Sequence, residues 1–417
     1  MSRPNIVVLG TGFGGLECAF DLRRRIGNKG KITLVSDHAD FNFKPNTIYI
    51  PFGEDPAHYV IPLADGMRRR DIDFLQTTVT GVDPAAKRVF TRDGQVAFDE
   101  LVIATGATMS PDEIPGMREY ANTIWAPEDM LRLRGSFDQL LGTRAGRPRT
   151  VLFVVPPQNK CSGPLYEIVL MLDTWLRRQG ARDRVRIIYN TYEQSFIQAF
   201  GPRLHEVVTN EFSRRNIEGN LDCAAAAMEP NEVLCRNGSR IPYDLLISFP
   251  PYKAAVHYDS LPSDDRGFLL TDAKTRQVQG CANIYAVGDG GDFPVKQAFL
   301  ALLQADAVSS RLAECVLGKD SQAVFDPVSM CIMEQFDKAT FAQVPLRLTG
   351  NPDRPVAVRD DCPGVYQVGS GPVWRLGKKM LGTVLPARFR AGRPFHAGPS
   401  WTAMEAGLKV MAAAFAK

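Results

Sequence analysis

Apolar residues in this chain gather into short continuous runs, most of which end at glycine or proline and give way to helical spacing. The first run, Ile6-Val7-Val8-Leu9 after Asn5, is too short for a helix and does not alternate, which predicts a buried strand. It ends in Gly10-Thr11-Gly12-Phe13-Gly14-Gly15, after which residues 16–25 carry helical spacing with a basic end and residues 31–35 form a second strand. The alternation returns at 101–103, which runs into Ala104-Thr105-Gly106-Ala107. It returns again at 150–155, followed by a helical stretch over 164–179 and a strand over 184–189. A last strand, 283–287, ends in Gly288-Asp289-Gly290 ahead of an apolar helix over about 296–317. Strands alternating with helices in this way predict an α/β fold of two Rossmann-like units with a separate C-terminal region.

The glycine loop is G-x-G-x-x-G between a strand and a helix, the context that gives the pattern meaning. Gly10 permits the tight turn, Gly12 lets backbone approach a pyrophosphate at the Phe13 end, and Gly15 lets helix and strand pack closely. The helix N-terminus then offers free N–H groups to the phosphates. The second strand ends at Ser36-Asp37, where a ribose contact is expected. Together with Ala104-Thr105-Gly106 and Gly288-Asp289, this loop resembles the FAD signature of flavoproteins with two dinucleotide-binding domains. That resemblance implies a three-layer ββα fold of the FAD/NAD(P)-binding type, with Asp289 on the ribitol–phosphate part of FAD. The expected division is 1–110 and 272–320 for the FAD-binding unit, 111–271 for the second unit and 321–417 for the C-terminal region.

Composition narrows the class without deciding it. A length of 417 residues suggests two to three compact units, and 45% hydrophobic with 23% charged residues describes an ordinary globular protein. A net charge of +3 is too small to argue for nucleic acid. The eight cysteines form no C-x-x-C pair and no Cys/His spacing suited to zinc, so no metal is expected. The first strand begins at residue 5, leaving no room for a signal peptide, and no apolar run reaches the roughly 18 residues of a spanning helix. A cytoplasmic location with reduced thiols is the expectation. Cys18 and Cys315 fall in helices and are expected in the core.

The turn after Val155 carries the most specific chemistry. A second dinucleotide unit would place glycines there; this chain has Pro156-Pro157-Gln158-Asn159-Lys160-Cys161-Ser162-Gly163-Pro164-Leu165-Tyr166-Glu167. The stretch from Cys161 to Glu167 is similar to the C-x-G-P-x-Y-E of the sulfide:quinone oxidoreductases. Phe41-Asn42-Phe43-Lys44-Pro45 resembles their F-x-F-x-P, Pro294-Val295-Lys296 their flavin-facing helix start, and Cys331-Ile332-Met333-Glu334-Gln335-Phe336 their second redox cysteine. The resemblance implies that Cys161 and Cys331 form the working pair, with sulfide or a small thiol as donor and a quinone as acceptor. Lys44, Pro45 and Lys296 are expected at the cofactor, with Lys296 near the flavin's anionic edge. Lys160 and the helix starting near Pro164 are expected to favour a Cys161 thiolate, and Glu167 to exchange protons. The third cysteine of many members is absent from 122–127 and no cysteine lies between 36 and 60, so FAD is expected to be non-covalent. A type II NADH:quinone oxidoreductase would need the missing glycines, a sulfide dehydrogenase donating to cytochrome c would usually be exported, and a non-turnover flavin/thiol or sulfane-sulfur sensor would use the same cysteines.

From Pro363 to Met404 no residue is acidic, while Arg375, Lys378, Lys379, Arg388, Arg390 and Arg393 interleave with Trp374, Leu381, Phe389 and other apolar residues. This pattern predicts a peripheral anchor on the inner face of the cell membrane, with Trp374, Leu381 and Phe389 inserted. Removal of residues from about 373 onward is expected to spare sulfide-driven flavin reduction. Homo-oligomeric assembly is compatible with the pattern.

Overall fold

The computed structural model describes residues 3–142, 146–362 and 364–416; Pro363, where the acid-free segment begins, lies outside them. The first apolar run is β1 (Asn5–Leu9), and Gly12 precedes α1 (Phe13–Ile26). The chain then adds β2 (Lys31–Ser36), β3 (Asp73–Gln76) and β4 (Glu100–Ile103) in the parallel order β4-β1-β2-β3. Ile6 to Leu9 are fully buried, as a strand covered on both faces requires.

The chain leaves this sheet to build a second one from β5 (Asn122–Thr123), β6 (Arg149–Val155), α2 (Gly163–Arg178), β7 (Val185–Thr191), β8 (Ile217–Asn220) and β9 (Leu245–Ser248). Its strands are also parallel, in the order β5-β9-β6-β7-β8. The chain then comes back: β10 (Ile284–Ala286) pairs with β4 as the fifth strand of the first sheet, and α3 (Ala298–Val316) packs along α1. Residues far apart in sequence therefore meet at the carboxyl ends of one set of strands, where open α/β sheets bind ligands. Cys18 is buried as expected, but Cys315 is exposed: it lies on the outer side of α3, in the last turn.

The C-terminal region is a meander followed by two helices. β11 (Val328–Glu334) pairs antiparallel with β12 (Ala339–Leu348), which also pairs with β13 (Gln367–Gly371). α4 (Pro372–Arg390) and α5 (Pro399–Phe415) follow. Two of the expected membrane anchors face the body instead. Trp374 is fully buried and stacks on Phe341 at 4.2 Å, and Phe389 is fully buried against Phe41 and Phe20. Leu381 is partly buried against the same core. The exposed apolar residues at this end are Leu376, Met380, Val410 and Phe415. Among the described residues no helix is long and apolar enough to cross a membrane.

Candidate functional site

The glycine loop is shaped by what lies against it. Gly10 has a φ of +103°, and a Cβ there would sit 2.4 Å from the Ala104 carbonyl oxygen. A Cβ on Gly15 would lie 2.0 Å from the Gly10 carbonyl oxygen, so Gly15 serves helix–strand packing. Gly12 differs: no protein atom lies within 4 Å of where its Cβ would be. That open space belongs to a cavity of about 1100 Å³ that starts at Gly10, Gly12 and Phe13. No side chain caps α1, so its first N–H groups face the same space.

The cavity runs past Ser36 and Asp37 at the end of β2, then Ala104, Thr105 and Gly106 after β4. The Ser36 hydroxyl hydrogen-bonds with that of Thr11 at 3.0 Å and accepts from the His38 N–H at 3.2 Å. Farther along stand Gly288, Asp289 and Lys296, facing Lys44 and Pro45. Among the described residues nothing donates a hydrogen bond to the Asp289 carboxylate, whose pKa burial raises against the pull of Lys296 and Lys44. Burial pushes Lys44 down to about 8 with its Nζ 3.2 Å above the Trp125 ring. Lys296 is pushed down to about 7, also by burial, with its Nζ 3.8 Å from the Phe268 ring centre. An open glycine cradle, free helix N–H groups and an unpartnered carboxylate are what the diphosphate and ribityl hydroxyls of FAD would occupy. These residues fit the cofactor.

At its other end the cavity reaches Cys161, Glu167 and Cys331. Cys161 follows β6 in a turn fixed by Asn159, whose Oδ1 accepts the Cys161 N–H at 3.0 Å while its amide donates to the Phe249 carbonyl. Cys331 lies in β11 opposite Ala342. Burial pushes the Cys161 thiol up strongly, Cys331 and Asp289 add to this, and only the Gly163 N–H at the start of α2 opposes it. The expected help from Lys160 is missing because that amine is itself buried and has its own pKa lowered. The Cys331 thiol is pushed up to about 12 by burial and then by Glu167, with Lys378 opposing.

Glu167 is where the C-terminal region enters the site. Its Oε1 accepts from the Glu334 N–H at 2.7 Å and from the Lys378 ammonium, which also donates to the Ile332 carbonyl at 2.9 Å. The Glu167 pKa is raised by burial against the pull of Lys378. Next to this pair the Glu334 carboxylate accepts from Tyr49 Oη at 2.7 Å and Arg375 Nε at 2.8 Å. The cavity thus contains a buried carboxylate–ammonium pair beside Cys331. Lys378, Glu334, Tyr49 and Arg375 escape sequence reasoning, and the acid-free stretch turns out to find its acids on α2 and β11.

The fold has two Rossmann-like units, and the cavity at the glycine loop has the make-up of a dinucleotide site. Residues 4–139 match the pyridine nucleotide-disulphide oxidoreductase family. The sulfide-quinone reductase of Aquifex aeolicus is 31% identical over 239 residues, 55% of this chain and 53% of that one. The mitochondrial sulfide:quinone oxidoreductase of Dictyostelium discoideum is 24% identical over 360 residues, 81% of this chain and 77% of that one. The aligned stretch therefore spans about half the length of the Aquifex sequence. The crystal structure of the sulfide:quinone oxidoreductase from Aquifex aeolicus superposes with a TM-score of 0.83 at 23% identity, covering 97% of this chain and 96% of that one. The chain is thus similar to sulfide:quinone oxidoreductases in sequence and shares the fold of one of them.

Proposed function

We propose that this protein oxidises sulfide, or a small thiol, to sulfane sulfur at Cys161 and Cys331 and passes the electrons through non-covalent FAD to a quinone. The observation that carries the reading is one continuous cavity with a dinucleotide cradle at one end and these two thiols at the other. FAD, when bound, would supply a two-electron acceptor between the thiols and the quinone. Hydrosulfide attacks one sulfur of the oxidised cysteine pair, forming a new S–S bond, breaking the old one and releasing the partner as thiolate. Burial disfavours that thiolate; its sulfur would bond to the outer persulfide sulfur, which restores a bridged pair one sulfur longer, as the two electrons leave for the bound two-electron acceptor. Glu167 takes the proton from hydrosulfide, and Lys378 balances the carboxylate's charge while it does so. Gly12 and the start of α1 would hold the diphosphate, Ser36 and Asp37 would meet the ribose, and Lys296 and Lys44 stand near Asp289. Among the described residues, Cys161 and Cys331 are the only cysteines lining the cavity, which supports a flavin without a covalent link. The exposed apolar residues of α4 and α5 support a peripheral position on the cytoplasmic face of a membrane, where lipid-dissolved quinone is met.

The test is anaerobic mixing of the FAD-loaded protein with sulfide, with NADH and then with a quinone, while flavin absorbance is followed. Sulfide should bleach the flavin, quinone should restore it, and NADH should act far more slowly, because prolines and Cys161 replace the glycines a second pyrophosphate needs. Comparable rates with NADH and sulfide would overturn the reading. Bleaching without recovery on quinone would point to a sensor.

A further inference from the structure

The end of α1 far from the dinucleotide loop borders a separate cavity of about 260 Å³. Five arginines line it, Arg23, Arg24, Arg70, Arg388 and Arg393, and among the described residues no acidic side chain does. Two of the five are partly satisfied: Arg24 is paired with Asp21 at 2.6 Å, and Arg23 lies 3.9 Å from Asp71. The other three have no carboxylate within 4 Å among the described residues. Arg388 donates through all three guanidinium nitrogens to neutral acceptors, the Pro394 and Ala397 carbonyls and the Ser400 hydroxyl. Burial works against its charge, Glu17 relieves this, and Arg393 adds to it. Arg70 spends only its Nε, on the Gly392 carbonyl at 2.8 Å. The Arg393 side chain makes no protein hydrogen bond among the described residues and is exposed.

A second feature faces the same space. Gly398, Pro399 and Ser400, the start of the 17-residue α5, line the cavity. No side chain caps this helix, and the first N–H bonds back to the Gly398 carbonyl come from Trp401 and Thr402, which leaves the Ser400 N–H free. Like-charged guanidinium groups around a hollow repel one another, and an uncapped helix start adds positive potential to them. Both are relieved by a ligand with several anionic oxygens.

We propose that this cavity binds the phosphate group of an anionic ligand. Guanidinium forks match phosphate oxygens in pairs, and helix N–H groups complete such sites. A phospholipid headgroup and a soluble phosphate share this chemistry. The occupant ties the 391–398 linker to the end of α1 and so fixes α4, which carries Lys378 into the thiol cavity.

The experiment uses the FAD-loaded protein and three forms: wild type, Arg393→Glu, and Arg236→Glu as a matched charge reversal at an exposed turn of the second unit, outside this cavity and away from α4 and α5. Inorganic phosphate is raised at constant ionic strength set with chloride, and the thermal midpoint is read from flavin fluorescence. The midpoint of wild type and Arg236→Glu should rise and saturate, whereas Arg393→Glu should lose at least about tenfold in apparent phosphate affinity. A second arm measures binding to phosphatidylcholine vesicles with and without phosphatidylglycerol. Vesicle binding that falls with Arg393→Glu but not Arg236→Glu, and that phosphate competes away, supports the site and identifies a headgroup as the source. Equal vesicle binding of the two variants, with the phosphate response lost only in Arg393→Glu, supports it with a soluble source. The proposal is overturned if neither phosphate nor vesicles distinguishes the two variants.

Discussion

Burial disfavours the thiolates of both Cys161 and Cys331, one in the turn after β6 and the other in β11. Replacement of either by serine should abolish sulfide-driven flavin reduction while FAD stays bound and folding is retained, as stopped-flow absorbance and the visible spectrum would show. Under the proposed relay the double variant should be no worse than either single one, since residues that act as a unit are non-additive. Glu167→Gln removes the carboxylate that lines the cavity with Cys331 and takes from the Lys378 ammonium its ion-pair partner. Sulfide-driven reduction should fall by about 10²-fold or more, with flavin content unchanged; a rate within twofold of wild type would remove Glu167 from the proton path. At this scale Cys161 and Glu167 were legible in sequence because one local motif holds both. Lys378 was not, since its partner is Glu167, on an element far away in the chain, and neither residue's surroundings in sequence announce the other.

At the scale of elements, α1, α3 and the linker between α4 and α5 meet at Glu17, Asp306 and His396. Glu17 accepts from the N–H groups of Phe395 and His396, and His396 Nδ1 lies 2.5 Å from an Asp306 oxygen. Burial, then Asp306, pushes the Glu17 carboxyl up to about 8; burial, then Asp21, pushes Asp306 up to about 8. The His396 pKa is lowered by burial against Glu17, Glu405 and Asp21, with Arg388 adding to the lowering. The folded state thus keeps carboxyl protons that the unfolded chain releases above about pH 4.5. Their contribution to stability is complete below that pH and is lost as pH rises through about 8. The thermal midpoint of wild type should fall between pH 6 and 9, and Glu17→Gln should flatten that fall; an unchanged slope would show that Glu17 does not titrate in this range. Elements were legible where the pattern was local: the runs that predicted β1, β6 and α2 depend on neighbours in sequence. The role of α4 was misread because Trp374, Phe389 and Lys378 look like a basic apolar face until the body they pack against is in place.

For the whole molecule, the proposed bilayer contact falls on the exposed apolar residues of α4 and α5. Leu376 is 60% exposed, Met380 50%, Val410 70% and Phe415 60%, while the tryptophan and phenylalanine expected to insert are covered. The paired change Leu376→Asp/Met380→Asp should release the protein from anionic liposomes in co-sedimentation and leave sulfide-driven flavin reduction within twofold of wild type. Removing residues from 373 onward, by contrast, should abolish that reduction as well, since it takes away Lys378 and opens the core around Trp374. Retained reduction in the truncated form would exclude Lys378 from the chemistry.

The first sheet is interrupted: β4 ends at Ile103, and β10, its neighbour, begins at Ile284. On a ribosome the N-terminal strands emerge with an unpaired edge and must wait while the whole second sheet is synthesised. Asp289 and α3 arrive only afterwards, so the flavin cradle is finished late, and nascent chains spend the interval with β4 open to aggregation. Flavin fluorescence on stalled nascent chains should therefore stay at the free-cofactor level until the stretch from β10 to the end of α3 has left the exit tunnel. Earlier binding would mean that the N-terminal strands and the glycine loop hold FAD without their closing strand.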